Sequence, residues 1–193
     1  MEALIAARAA GQNEFGENYV QEALAKRQST QQLDGAIWHF TGTLQANKTR
    51  LVAENFDWVH TVDRQKIAQR LNDQRPAALP PLNVCIEVNL GGEAGKSGIA
   101  PGQLAALSEY VSGLPRLRLR GLMALPAMAT DPAEQRRSFH ELRQLREALI
   151  QQGHALDTLS MGMSADFEAA IMEGATLVRL GTVIFGARSP KRS

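Results

Sequence analysis

Two segments near the C-terminus hold the residue types that grip a phosphate. Ser160-Met161-Gly162-Met163-Ser164-Ala165-Asp166 reads as a strand passing into a helix, with Ser164 or Asp166 at the cap. Arg179-Leu180-Gly181-Thr182 belongs to the next strand end. Phosphates are bound by backbone N–H groups at a helix start and by hydroxyl donors. Gly181 admits a ligand close to the backbone, and the Thr182 hydroxyl can donate to an anionic oxygen. Either segment alone reads as a tight turn with a capping hydroxyl. Two of them at adjacent strand ends favour a phosphate cradle. Arg179 lies two residues before Gly181, so strand alternation turns both to one side. There it serves either as a cation beside an anionic or ring-nitrogen group, or as an interior arginine paired to a carboxylate such as Glu87. The second is the commoner fate of a lone strand arginine.

The remaining chemistry-bearing residues read as structural. His39 and His60 fall in expected strands, His140 and His154 in or near the longest expected helix, and none clusters at metal-ligand spacing. Cys85, the single cysteine, sits in an apolar strand as an inert thiol and excludes an internal disulfide framework. No Gly-x-Ser-x-Gly or other nucleophile motif occurs. Lys48 and Lys96 lie near strand-following loops and read as solvated lysines. Arg136, Arg137, Arg143 and Arg146 lie among glutamates on one helix, as a solvated face with pairs such as Arg137–Glu141 and Arg143–Glu147. The net charge of +1 offers no field for nucleic acid or a membrane surface. No apolar run reaches the length of a membrane span, and Glu2 and Arg8 do not fit a signal peptide. The expected location is the cytoplasm.

The elements that must carry these turns alternate along the chain. Helices are expected over 2–10, 19–27, 47–56, 63–75 (capped by Asp63), 103–111, 131–152 and 165–173. Strands are expected over 12–16, 37–40, 58–62, 82–90, 117–125, 158–161 and 177–185. The 131–152 helix has the clearest punctuation, with Asp131 at the N-cap, Pro132 in the first turn and Gly153 beyond the end. Alternation of this kind means parallel strands with helical crossovers. A closed barrel has eight strands in about 250 residues. The preferred reading is an α/β (β/α)8 TIM-type barrel missing its first strand, in one domain over 1–193. The competing reading is an open doubly wound sheet. No Gly-x-Gly-x-x-Gly follows the first strand, which weighs against a dinucleotide fold. Barrel sites sit at the C-terminal strand ends, with phosphate frequently after strands 7 and 8. The two segments above occupy those places.

Motifs spread over nearly the whole chain carry a resemblance. They are Phe15-Gly16-Glu17-Asn18-Tyr19-Val20-Gln21-Glu22, Trp38-His39-Phe40-Thr41-Gly42, Leu44-Gln45-Ala46-Asn47-Lys48, Val59-His60-Thr61-Val62-Asp63, Lys96-Ser97-Gly98-Ile99, Arg120-Gly121-Leu122-Met123-Ala124, Ser160-Met161-Gly162-Met163-Ser164 and Arg179-Leu180-Gly181-Thr182-Val183-Ile184-Phe185-Gly186. In this order they resemble the pyridoxal phosphate homeostasis proteins, also called the proline synthase co-transcribed family.

The resemblance implies a barrel like the N-terminal domain of alanine racemase. It implies pyridoxal 5′-phosphate (PLP) at the mouth, its phosphate on Ser160, Ser164, Gly181 and Thr182, Arg179 facing the pyridine nitrogen and Asn18 lining the pocket. It further implies a monomeric, non-catalytic carrier that exchanges PLP with PLP-dependent enzymes. The alternatives are a PLP-dependent racemase-like enzyme fragment and an interaction protein without cofactor. One departure stands out. The family's PLP-bearing lysine lies on a strand upstream of the first helix here, and none of Lys26, Lys48, Lys66, Lys96 or Lys191 matches it. The expectation is weak, noncovalent PLP binding, with an exposed sheet edge that lowers stability or is repaired by a partner chain.

Overall fold

The computed structural model describes residues 1–92, 95–127, 129 and 131–186. α1 (Glu2–Ala9) leads into β1 (Glu14–Glu17) and α2 (Val20–Gln28), then β2 (Ile37–Phe40), α3 (Thr49–Asn55), β3 (Trp58–Val62) and α4 (Gln65–Gln74). β4 (Leu82–Glu87), α5 (Leu104–Ser112), β5 (Leu117–Met123), α6 (Pro132–Gln151), β6 (Thr158–Met163), α7 (Phe167–Met172), β7 (Leu177–Arg179) and α8 (Thr182–Phe185) complete the order. The seven strands pair in chain order, all parallel, and β1 and β7 are the edges.

A cross-sheet contact shows that this sheet is not flat. Three strand spacings, about 14 Å, separate β3 from β6 in a flat sheet. His60 on β3 nevertheless meets Ser160 on β6 at 2.7 Å. The sheet therefore curls into a near-closed β/α barrel with its helices outside, which sets the doubly wound reading aside.

Strand alternation divides the side chains between two environments. One face of each strand carries Trp38 and Phe40, Val59, Val84 and Ile86, Leu159 and Met161 into a continuous apolar shell. The helices meet that shell with stripes at helical spacing, as Ile67, Ala68 and Leu71 do from α4 and Phe139, Leu142 and Leu149 from α6. The opposite strand parity puts His39, His60, Cys85, Glu87 and Ser160 inside the barrel. All five are buried. At the lower end, Arg120 forks onto Asp157 at 2.6–3.0 Å, donates to Asn83 at 2.9 Å and lies over the Trp58 ring. Outside, buried Arg75 donates to the carbonyls of Ala53 and Phe56, tying down the end of α3.

Several boundaries differ from the sequence expectation. The 177–185 segment is not one strand: β7 ends at Arg179, and Thr182–Phe185 forms a helical turn. The β-branched run Thr182-Val183-Ile184 has strand propensity. However, β6 ends at Met163, which already pairs with Arg179, so no ladder partner lies beyond. Asp63 does not cap α4; its carboxylate takes Arg64 at 2.6–2.7 Å, and Arg64 holds the N-cap position without a side-chain bond. Asp131 caps α6 as expected, accepting from the Ala133 N–H at 3.3 Å. The long helix is not merely solvated, because Arg136, His140 and Arg143 converge on buried Glu173 of the α7 end. Lys191 lies outside the described residues.

Gly121 marks where two strands come closest. A Cβ there would meet the Thr158 carbonyl oxygen at 1.8 Å, which is backbone and cannot yield cheaply. Gly121→Ala is expected to cost about 3 kcal/mol by overpacking. A thermal melt followed by circular dichroism should show a fall of about 6–12 °C.

Candidate functional site

The site is built on the upper ends of β6 and β7. β6 turns into α7 through Gly162, whose φ of 91° and whose Cβ clash at 2.6 Å with Ala170 both demand glycine. Asp166 fixes the turn by accepting from the Met163 N–H at 2.6 Å. This presents Ser164 to the neighbouring strand end. Ser164 Oγ accepts from the N–H groups of Gly181 at 3.4 Å and Val183 at 3.3 Å. A hydroxyl oxygen thus takes the spot on which two backbone donors converge, and an anionic oxygen accepts such bonds more strongly. Nothing lies within 4 Å of a Cβ built on Gly181, so there is room above the turn. The donor set and the open space fit a phosphate group.

Arg179 rises from β7 beside this cradle. It donates to Ser160 Oγ at 2.7 Å and to the Ala124 carbonyl at 3.1 Å. Its hydrogen bonds are therefore not to Glu87, the carboxylate expected as its simplest partner, although the two interact electrostatically. Burial draws the Arg179 guanidinium down to about 10, against the opposing pull of nearby acidic groups. It stays cationic at neutral pH. Glu87 lies at the upper end of β4. Burial first, then repulsion from Asp63, pushes its carboxyl up to about 7, with Arg179 opposing.

Of the six residues singled out by sequence, four form two hydrogen-bonded pairs across the ends of β6 and β7, Arg179 with Ser160 and Gly181 with Ser164. Thr182 opens α8 and is exposed. Asn18 follows β1 at the other edge and is held there by the Thr41 hydroxyl, which donates to its Oδ1 at 2.8 Å. Gly42 permits this approach, since a Cβ there would meet the Asn18 carbonyl oxygen at 2.2 Å. Glu87 and His60 were not singled out. The usable signal was inward strand parity, which aims His60, Ser160 and Glu87 at one interior. Among the described residues no group of three or more metal-ligating side chains occurs, and no helix is long and apolar enough to cross a membrane.

Known proteins resemble this chain in sequence and fold. Residues 1–189 match the alanine racemase N-terminal domain family. The pyridoxal phosphate homeostasis protein of Pseudomonas aeruginosa is 60% identical over 182 residues, covering 94% of this chain and 77% of that protein. The protein of the same name in Escherichia coli K12 is 56% identical over 184 residues, covering 93% of this chain and 77% of that protein. PipY of Synechococcus elongatus PCC7942, solved with PLP bound, superposes with a TM-score of 0.89 at 39% identity, over 96% of this chain and 87% of that one. An alanine racemase from Clostridium difficile 630 superposes at 0.79 with 15% identity, over 98% of this chain and 49% of that one, a likeness of fold.

Glu87 yields a pH test. Its folded pKa is raised, so its contribution is complete below the ordinary carboxylate value and is lost as pH rises through about 7. Glu87→Gln fixes the neutral form. Its stability advantage over the parent, from denaturant melts, is expected to widen by about 2 kcal/mol between pH 5 and pH 8. A gap that stays constant across that range contradicts the assignment.

Proposed function

Because the chain belongs to the pyridoxal phosphate homeostasis proteins, within the alanine racemase N-terminal domain family, we propose that it binds PLP at the barrel mouth as a carrier and regulator rather than a catalyst. One observation carries this reading: Ser164 Oγ sits on the converging N–H groups of Gly181 and Val183, with the Arg179 cation alongside. Ser164, Gly181 and Thr182 hold the phosphate, Ser160 steadies Arg179, and Asn18 lines the opposite side of the mouth. When bound, PLP supplies an aromatic ring that withdraws electrons from amines attached to it. That capacity is greatest with the ring nitrogen protonated. A guanidinium facing this nitrogen opposes protonation, since two positive charges would meet. The residues of this mouth therefore bind and orient the group while muting its chemistry.

Among the described residues, the four lysines lie on helical segments or a loop, none on a strand: Lys26 on α2, Lys48 in the turn before α3, Lys66 on α4 and Lys96 after β4. Lys26 is engaged by Glu17. In this reading PLP is held by its phosphate and ring rather than by a covalent bond to one of these four. The same reading has the protein working as a monomer in the cytoplasm and exchanging PLP with PLP-dependent enzymes.

Glu87 favours one second reading. A carboxyl that titrates near neutrality at the mouth is the kind of group a racemase needs as acid or base. Incubation of the PLP-loaded chain with L-alanine separates the two readings. The carrier reading expects no D-alanine above the PLP-only control; sustained turnover abolished by Glu87→Gln would establish the enzyme. For the cradle itself, a fluorescence titration is expected to show pyridoxal binding at least about tenfold more weakly than PLP. Ser164→Ala, which leaves the Gly181 and Val183 N–H donors in place, is expected to reduce that difference only in part.

A further inference from the structure

The inside of this barrel holds a connected set of polar groups that phosphate binding does not use. Arg179 NH1 lies 2.7 Å from Ser160 Oγ. Ser160 Oγ lies 2.7 Å from His60 Nδ1. His60 Nε2 lies 2.9 Å from His39 Nδ1. His39 Nε2 lies 3.3 Å from a carboxylate oxygen of Glu14. Ser160, His60 and His39 are buried. Glu14, at the lower end of β1, is half-exposed.

Proton counting gives this chain a direction. A guanidinium only donates, so Ser160 Oγ must accept from Arg179. Its own hydroxyl proton then has His60 Nδ1 within reach. If Ser160 donates there, the His60 proton sits on Nε2 and points to His39 Nδ1. The His39 proton then sits on Nε2 and points toward the Glu14 carboxylate. The Ser160 and His60 donors each find an acceptor, and the His39 N–H faces the Glu14 carboxylate at 3.3 Å. The reverse assignment leaves the Ser160 proton without one of these acceptors and turns the bare His39 Nε2 lone pair toward a carboxylate. Each fault carries the desolvation cost of a polar group left unpaired in a buried site. The last link is the loosest, because the His39 Nε2–Glu14 contact has ion-pair distance but not hydrogen-bond alignment.

We propose that Ser160, His60 and His39 are positioning residues for Arg179, forming one directional hydrogen-bond relay that runs from its guanidinium to His39, whose Nε2 faces the Glu14 carboxylate. The relay fixes the guanidinium plane at the mouth. It acts through Ser160 and needs both imidazoles neutral. Burial supports that state: it lowers His39 to about 4 and His60 well below its ordinary value, with the charges of His39 and Arg179 adding to the effect on His60. The Trp58 ring, stacked on His39 at 5.3 Å, completes the dry wall. That the fixed guanidinium faces a pyridine nitrogen rests on the PLP reading; the direction of the relay does not.

Long-range proton–nitrogen NMR on the ligand-free, histidine-labelled protein tests this directly. His39 and His60 are expected to be neutral from pH 5.5 to 8, each with its proton on Nε2. A proton on Nδ1 of either ring, or a cationic ring at pH 6, overturns the relay. Ser160→Ala removes the link to Arg179. It is expected to release the Arg179 side-chain N–H from its slow-moving signal and to mix the His60 tautomers, whereas Ser160→Thr keeps both signatures. An Ser160→Ala variant that is folded by circular dichroism and leaves both signatures unchanged also overturns it. A PLP titration of the parent protein runs alongside. If the tautomers are as assigned but PLP does not bind, the proposed function fails and the relay stands. If PLP binds and the tautomers differ, the relay fails alone.

Discussion

The His60–Ser160 hydrogen bond joins strands 100 residues apart in the chain and closes the curl of the sheet. Parallel ladders set neighbours two at a time, but nothing in a pairwise ladder brings β3 to β6. That task falls to side chains on the inner face. A TIM-type barrel interior usually fills with bulky branched residues in layers. Here the inner face carries two histidines, a serine, a cysteine, a glutamate and an arginine. Such groups tolerate burial only when their hydrogen bonds are met. The requirement that each inner donor find an inner acceptor therefore constrains the curvature, and the curvature sets where the adjacent ends of β6 and β7 stand.

The apolar shell is a separate system. Trp38, Val59, Ile86 and Leu159 belong to the buried apolar cluster that the strands share with the helices, whose removal from water stabilises the fold. Their strand neighbours of opposite parity carry the chemistry. One residue of register slip would exchange the two sets. Register shifts between Val59 and Val62, between Val84 and Cys85, and between Ser160 and Met163 place an extra residue on β3, β5 and β6, while β4 and β7 advance by plain alternation to Glu87 and Arg179.

Much of this was readable from residue types and spacing. The alternation of strand and helix specified a parallel β/α sheet, and the two small-residue turns marked adjacent strand ends, where Ser164 meets the N–H groups of Gly181 and Val183. Three things were not readable, for physical reasons. The end of β7 depends on the length of β6, which no local pattern encodes. The Arg179 partners, Ser160 and the Ala124 carbonyl, have no local signature, since residue type alone favours a carboxylate beside a buried arginine. His39 and His60 looked like separate structural histidines because their link crosses between strands. Only the inward parity they share hinted at it.

The fork of Arg120 onto Asp157, covered by the Trp58 ring, stops the lower end of the barrel. With His39 and His60 buried above it, the lower half of the interior is a floor of packed side chains rather than water.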